Sequence, residues 1–186
     1  MAECHVSTLE RTGFERAPVA RTRRTLEQLF GDELAGAGLI GDWARWLAFP
    51  RLTVERWWCD NVVLLGDALH SAHFSIGCGT MLALSDAVAL AGAVARDPDP
   101  GAALRRFERE QRPRVEAYQQ AAERSMCWFE QLGRHVELEP LPFAHALLTR
   151  TGRVTDDRLA ASVPEFFSAW QRWRERHGPA SDAGAS

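Results

Sequence analysis

One segment constrains the fold more than any other part of the chain. An apolar run at residues 62–65 is followed by Gly66-Asp67, a glycine-rich loop and a long apolar stretch. Four consecutive apolar residues bounded by turn residues predict a β-strand that is buried on both faces. Apolar residues at helical spacing then predict a helix over residues 81–95. The segment therefore has the strand–loop–helix pattern of an α/β unit.

A strand buried on both faces needs hydrogen-bonded neighbours along both edges, usually parallel strands joined by crossover helices. Nothing upstream in the sequence reads as such a unit. Residues 43–58 contain four tryptophans and read as two short extended runs. The strand at 62–65 either pairs with these runs or has partners that this chain lacks, and we favour the second alternative.

Helices are expected on both sides of this unit. Thr25 is the predicted N-cap of a helix that reaches Leu34. Asp99 and Pro100 predict the N-cap and first residue of a long helix to about residue 129, which Pro113 should bend or divide. Shorter helical segments are expected at 143–148 and 164–173.

Composition excludes several classes of protein. Hydrophobic residues make up 46% of the 186-residue chain, and 22 basic against 25 acidic residues give a net charge of −3. This balance gives no reason to expect nucleic acid or an acidic membrane as partner. No signal peptide is visible, and residues 81–95 are shorter than the roughly 20 residues that span a bilayer. We therefore expect a soluble cytoplasmic protein.

The cysteines and histidines do not form a recognisable metal site. Four cysteines occur without a C-x-x-C pair, which argues against a zinc site or a secreted disulfide framework. His70 and His73 have H-x-x-H spacing with Cys78 nearby, but no clear second pair of ligands accompanies them. We expect no bound metal.

The loop after the predicted strand can interact with a flat or anionic ligand. Asp67 follows the strand, and Gly77 and Gly79 precede the helix at 81–95. A helix N-terminus offers unpaired N–H groups and a positive dipole end, and glycine allows a ring to approach the backbone. Taken one by one, the aspartate and the glycines are equally explained as turn residues, and Asp86 is expected to tether its helix to neighbouring backbone.

The combined run is more specific than its parts. The sequence G-D-A-L-H-S-A-H-F-S-I-G-C-G-T-M, which starts at residue 66, resembles the G-D-A-x-H…G-x-G segment of the class A FAD-dependent aromatic monooxygenases. These enzymes share the para-hydroxybenzoate hydroxylase fold. The run most resembles the branch that hydroxylates salicylyl-CoA and 2-aminobenzoyl-CoA. With A-E-C-H near the start and R-V-T-D-D-R-L near the end, the resemblance covers most of residues 2–173 and begins within an expected strand at Ala2 to Cys4.

The resemblance implies a fold class and a domain organisation. It implies an α+β or α/β fold, mostly helical after residue 80, that corresponds to the C-terminal part of a para-hydroxybenzoate hydroxylase-like FAD-binding fold without its N-terminal βαβ unit. The implied divisions are the remainder of a substrate domain with a helix and short antiparallel strands (1–58), the last strand, flavin loop and two long helices of the FAD domain (59–130), a C-terminal helical segment (131–177) and a disordered tail (178–186).

The resemblance also implies site residues. Asp67 matches the aspartate that binds the ribityl chain of FAD. In the family, the backbone N–H groups of one loop face the pyrimidine edge of the flavin ring. The residues that match this loop are Gly77, Cys78, Gly79 and Thr80. His73 and Phe74 match positions on the substrate side of the flavin, and His73 is the candidate catalytic base for a phenol proton. For His73, a structural histidine with hydrogen bonds is the simpler alternative.

The resemblance implies FAD as cofactor, NAD(P)H as co-substrate and an aromatic acid or its CoA thioester as substrate. Complete members begin with a strand, a G-x-G-x-x-G turn and a helix that hold the FAD pyrophosphate. No such βαβ unit opens this sequence, and the glycines at 36, 38 and 41 read as a loop. Three hypotheses stay open: an enzyme part that needs a separately encoded N-terminal half, an inactive remnant or helical interaction module, and an enzyme with another cofactor, for which no motif is present.

Overall fold

The computed structural model describes residues 3–41 and 46–178 and divides the chain into two compact units, residues 1–49 and 50–186. The described residues are mostly helical, as expected, whereas the specific para-hydroxybenzoate hydroxylase-like fold stays a prediction. The first unit contains α1 (Val6–Thr12), α2 (Val19–Leu29) and α3 (Gly31–Leu34), and the second contains β1 (Trp58–Cys59), β2 (Val62–Val63), α4 (Gly79–Arg96), α5 (Pro100–Glu130), α6 (Pro140–Thr149), α7 (Asp156–Ser162) and α8 (Pro164–His177).

The first unit corrects two predictions. The helix expected to start at Thr25 begins at Val19, and Thr25 lies inside it with its hydroxyl donating to the Arg21 carbonyl at 3.1 Å. A threonine can make this bond to the preceding turn, so it does not have to cap a helix. The prediction of a strand at the start of the chain is also wrong for the residues that the structure describes, because Glu3 and Cys4 adopt no strand. Ala2 lies outside the described residues.

The strand at residues 62–65 differs from the expectation. β2 pairs with β1 in antiparallel register, Trp58 opposite Val63 and Cys59 opposite Val62, around a two-residue turn in which Asp60 has a φ of 51°. One edge is thus paired with the tryptophan-rich segment, the alternative that we did not favour. The prediction of burial on both faces is wrong, because the Val62 side chain is 62% exposed.

The tryptophan-rich segment itself forms less β-structure than expected. Between residues 46 and 57 the described backbone contains only an isolated bridge from Thr53 to His70, and Trp43 lies outside the described residues. Trp57 instead packs into the core, where its ring centroid lies 5.6 Å from that of Phe107 on α5. Burial of this large ring, rather than strand pairing, explains its place in the sequence.

Helices α4 and α5 form the centre of the second unit. Asp99 caps α5 by accepting the Ala102 N–H at 2.8 Å, which confirms the predicted start. Pro113 does not divide α5, which continues for 31 residues. Proline removes one helix hydrogen bond, and the fully buried Phe107 and nearly buried Val115 on either side keep both halves packed on the same core.

The C-terminal helices confirm two predictions and add one element. Helices α6 and α8 include the expected segments at 143–148 and 164–173. Helix α7 was not predicted, although Thr155 before two aspartates is an N-cap signal. Four rings stack in a column along α6 and α8: His145, Trp170, Trp173 and His177.

Candidate functional site

Asp67 lies on a short 3-10 turn at Gly66–Ala68, directly after the strand. Gly66 has a φ of +53°, and a Cβ atom there would lie 3.0 Å from Cβ of Ala83 in α4. Only glycine fits this left-handed and crowded position without strain. The close approach places Asp67 beside the first turns of α4, where its side chain is exposed and makes no hydrogen bond or ion pair with the described residues.

A buried polar network underlies this turn. The carboxylate of Asp86, on α4, is fully buried and accepts the Gly66 N–H at 2.9 Å. Its oxygens also lie 2.7 Å from Nε2 of His70 and 2.8 Å from Nε2 of Gln111 on α5. The backbone tether expected for Asp86 is confirmed, and the two side-chain partners were missed. The network fixes the end of the strand, the loop, α4 and α5 relative to one another.

The glycine turn before α4 exposes its backbone. Gly77 has a φ of +60°, and a Cβ atom at Gly77 or Gly79 would have no neighbouring atom within 4 Å. The N-cap residue of α4, Cys78, makes no side-chain hydrogen bond to the first turn. The first N–H groups of this 18-residue helix therefore have no acceptor in the N-cap side chain, and they carry the positive end of the helix dipole. Such a helix start suits a ligand atom or group edge that carries negative charge.

The side chains in the turn face different environments. Cys78 is only 5% exposed, and burial raises the pKa of its thiol, so this side chain stays protonated at neutral pH. Thr80 is exposed on the first turn of α4. What Cys78 offers a ligand is therefore its backbone, whereas Thr80 offers both backbone and hydroxyl.

His73 and Phe74 lie between these two turns. The His73 ring is almost buried, and its Nδ1 accepts the Ser75 N–H at 3.3 Å. Because Nδ1 is the acceptor, the proton of the neutral ring is on Nε2, which is then a donor. His73 can act as a base through Nδ1 only if the hydrogen bond from the Ser75 N–H breaks. Phe74 packs against this ring, with centroids 4.2 Å apart, and is partly exposed.

Arg150 anchors the same loop from the other side and was not predicted. Its guanidinium donates to the Ser75 carbonyl at 3.3 Å and to the Ser125 hydroxyl at 3.0 Å, and it lies over the Phe129 ring. It thereby ties the loop to α5 and to the end of α6. No sequence signal identified it, because its partners are 25 and 75 residues away.

Asp67, Gly77 and Thr80 are exposed, whereas Gly79 is half-buried and Cys78 is buried. Neither the open groove of about 430 Å³ on the first unit nor the cavity of about 20 Å³ beside His70 is lined by these residues. Over residues 3–41 and 46–178, no three acidic, histidine or cysteine side chains are grouped to hold a metal ion.

Residues 36–41 match the letters of G-x-G-x-x-G but not its structural context. They follow helix α3 rather than a strand, and they are themselves irregular. A dinucleotide pyrophosphate binds this motif where a strand leads through it into a helix N-terminus. These glycines therefore give no support for a pyrophosphate site in the chain.

Comparison with known proteins finds relatives among aromatic hydroxylases, although no family model matches the chain. It is 38% identical to a salicyloyl-CoA 5-hydroxylase of Streptomyces sp over 84% of the chain and 31% of that protein. It is 42% identical to a 3-hydroxy-4-methyl-anthranilyl-[aryl-carrier protein] 5-monooxygenase of Streptosporangium sibiricum over 73% of the chain and 38% of that protein. A protodeoxyviolaceinate monooxygenase of Chromobacterium violaceum is 32% identical over 81% of the chain and 40% of its own length.

The chain thus spans between 31% and 40% of the length of these relatives. Because the matched regions are 135 to 162 residues long, each of them includes most of the second unit. The predicted resemblance is confirmed: over most of its length, the chain is related to one part of the aromatic-ring hydroxylases and monooxygenases.

Proposed function

We propose that this chain forms one wall of the flavin site of an FAD-dependent monooxygenase that hydroxylates an aromatic acid or aromatic acyl thioester with NAD(P)H and O₂. The observation that carries the proposal is the exposed Asp67 carboxylate on a turn that packs against α4 at Ala83, together with the open Cβ positions of Gly77 and Gly79 at the start of that helix. The similarity to enzymes named as aromatic hydroxylases supports this choice of ligand.

In this proposal the chain binds and orients the cofactor. The Asp67 carboxylate accepts hydrogen bonds from hydroxyl groups of the ribityl chain. The N–H groups of residues 77–80 stabilise negative charge at the edge of the ring, in the same way that an oxyanion hole stabilises a developing anion. Bound FAD supplies the electron transfer and oxygen activation.

His73 and Phe74 would face the substrate. Phe74 excludes water from the flavin with its partly exposed ring, and Nε2 of His73 donates a hydrogen bond to an oxygen of the substrate. If the Nδ1 contact to Ser75 opens during turnover, His73 can accept the phenol proton instead. Either role places His73 in contact with the substrate.

The substrate class is proposed from the relatives. The names of two of them include a CoA thioester and an aryl group on a carrier protein. We therefore propose an aromatic acyl thioester as substrate in preference to the free acid. The pyrophosphate of FAD, for which these residues offer no site, is proposed to bind a polypeptide region with a βαβ unit, encoded separately or in the same polypeptide.

Reconstitution tests the proposal. The chain is mixed with FAD and with the part of the Streptomyces salicyloyl-CoA 5-hydroxylase that lies outside the matched region. We expect a yellow complex after gel filtration, NAD(P)H oxidation that depends on salicyloyl-CoA, and a product with one additional oxygen atom.

Two variants test whether the flavin is retained through Asp67. Asp67→Asn should weaken flavin retention at least tenfold, whereas Asp60→Asn, at another exposed aspartate, should have no effect. A folded chain that stays colourless in the mixture would contradict the proposal and favour the alternative of an inactive remnant or interaction module.

A further inference from the structure

Helix α2 borders an open groove in the first unit, which the proposed function does not yet use. Its volume is about 430 Å³, and the described residues that line it are Val19, Ala20, Arg23, Arg24, Glu27 and Gly41. Those that belong to α2 share one face of the helix, because they follow one another at helical spacing. Pockets for small molecules typically measure about 300–1,000 Å³. The groove is therefore large enough for a small organic molecule.

Arg23 is held in position at this groove. Its Nε donates to Oε1 of Glu27 at 3.0 Å, and the same carboxylate oxygen accepts the Leu39 N–H at 3.0 Å. Over the part of the chain that the structure describes, the two terminal nitrogens of Arg23 make no hydrogen bond. A guanidinium that is already fixed loses little freedom when its remaining N–H groups bind a ligand.

Arg24 supplies the excess positive charge. It is exposed and makes no hydrogen bond or ion pair with the described residues. The hydrogen bond from Arg23 is the main cause that lowers the pKa of Glu27, so this carboxylate is ionised at neutral pH and its charge is offset by Arg23. Two arginines and one glutamate among the lining residues leave one net positive charge. Guanidinium groups bind phosphate through paired N–H donors, so a phosphate group fits this charge.

The groove also presents apolar atoms. Val19 is half-buried and Ala20 is exposed, and no acidic residue lies in the first turn of α2. An inorganic anion would leave these methyl groups uncovered. A phosphate ester with an uncharged chain would contact both the arginines and the apolar atoms, so it uses more of the groove than a free anion does.

We propose that this groove binds the phosphopantetheine arm that carries the acyl thioester substrate. The phosphate of the arm contacts the guanidinium groups of Arg23 and Arg24, and its uncharged part lies along Val19 and Ala20. This inference rests on the proposed function, because it adds a binding subsite for the proposed thioester.

The names of two relatives support this ligand. One is named for a CoA thioester and the other for an aryl group on a carrier protein. CoA and carrier proteins both hold an acyl group on phosphopantetheine, so a site for this arm serves either form of the substrate. The match to the first relative covers 84% of the chain, which is more than the unit at 50–186 alone contains, so it extends into the first unit.

A phospholipid headgroup is the weaker source of the phosphate. By length and composition alone α4 could cross a bilayer, contrary to the expectation that its segment is too short. However, Asp86 in the middle of α4 is fully buried and bonded to His70 and Gln111, so insertion would break a satisfied network. We therefore favour a phosphate ester in solution.

Calorimetric titration of the full chain with coenzyme A, in the absence of FAD, tests the site. We expect saturable binding that weakens at least tenfold in Arg24→Gln, which removes the unpaired charge, and in Ala20→Leu, which fills the groove. Arg114→Gln is the matched control, because Arg114 is exposed on α5 and makes no hydrogen bond or ion pair with the described residues. This control should bind coenzyme A as the wild-type chain does.

Competition shows which part of coenzyme A is bound. We expect 4′-phosphopantetheine to displace coenzyme A, and pantetheine, which lacks the phosphate, to do so at least tenfold less well. Displacement by adenosine 3′,5′-bisphosphate but not by 4′-phosphopantetheine would overturn the proposal in favour of a nucleotide site. Equal affinities of wild type and Arg24→Gln, or no binding at millimolar coenzyme A, would also overturn it. Binding to phosphatidylglycerol vesicles but not to coenzyme A, lost in Arg24→Gln, would assign the groove to a lipid instead.

The outcomes for this site and for the flavin site are separable. Binding of coenzyme A by a chain that stays colourless in the reconstitution with FAD would refute the proposed function and leave this groove as a phosphopantetheine site. Flavin retention by a chain that does not bind coenzyme A would overturn this inference alone.

Discussion

The Asp86 carboxylate connects three parts of the second unit through hydrogen bonds to Gly66, His70 and Gln111. Removal of this acceptor deprives the buried Gly66 N–H and the His70 ring of this partner and leaves Gln111 Nε2 with only its bond to the Ser85 hydroxyl. Each unsatisfied buried group costs about 1–3 kcal/mol. We predict that Asp86→Ala lowers the free energy of unfolding by about 3 kcal/mol or more in urea titrations. The exposed Asp67→Asn should change it by less than about 0.5 kcal/mol. Equal effects of the two variants would show that the network does not stabilise the fold.

The buried thiol of Cys78 makes a prediction about pH. Burial raises its pKa, and the thiolate is the form that reacts with iodoacetamide. Alkylation of Cys78, followed by peptide mass spectrometry, should therefore rise at a higher pH in the folded chain than in the same chain unfolded in urea. A folded-state pH profile at or below that of the unfolded chain would contradict the burial of this side chain.

At the residue scale, the sequence predicted the exposed members of the site better than its buried supports. Turn chemistry and position predicted that Asp67 and Gly77 lie in turns between the strand and α4, and the structure places both in such turns. His70 and Gln111 could not be predicted as partners of Asp86, because they are 16 and 25 residues away from it. Local periodicity predicts which residues are buried but not which polar groups meet.

At the element scale, the turn between β2 and α4 depends on one glycine. Gly66 combines a φ of +53° with a Cβ position 3.0 Å from Ala83. A left-handed conformation alone costs an L-residue about 1–2 kcal/mol, so Gly66→Ala should lower the free energy of unfolding by at least that amount. Gly133→Ala is the control, because Gly133 has no neighbouring atom within 4 Å and no positive φ. Equal unfolding midpoints for the two variants would rule out strain at Gly66.

Helix boundaries were predictable where a cap is specified by its own side chain. Asp99 before Pro100 determines the start of α5. The start of α2 was missed because Pro18 precedes it without a side-chain cap, while Thr25 has a cap-like side chain inside the helix. Strand pairing was the least predictable, since the partner of Val62 depends on a two-residue turn at Asp60 rather than on any apolar pattern.

At the scale of the whole molecule, the second unit has a closed core and open surfaces. Its core cluster includes the buried Phe107 and Val115, while Leu84 and Val88 on α4 are largely exposed. Over the part of the chain that the structure describes, no strand pairs with the second edge of β2. This arrangement is what we expect of a chain that contributes one wall to a site completed by another part of an enzyme.

The central claim is that Asp67 and the backbone of residues 77–80 contact a flavin. It is tested most directly by ¹H–¹⁵N NMR of the chain titrated with FAD up to millimolar concentration. We predict saturable shifts of the amides at 77–80 that weaken at least tenfold in Asp67→Asn and persist in Asp60→Asn. Unchanged amides at 77–80, or shifts that are the same in both variants, would contradict it.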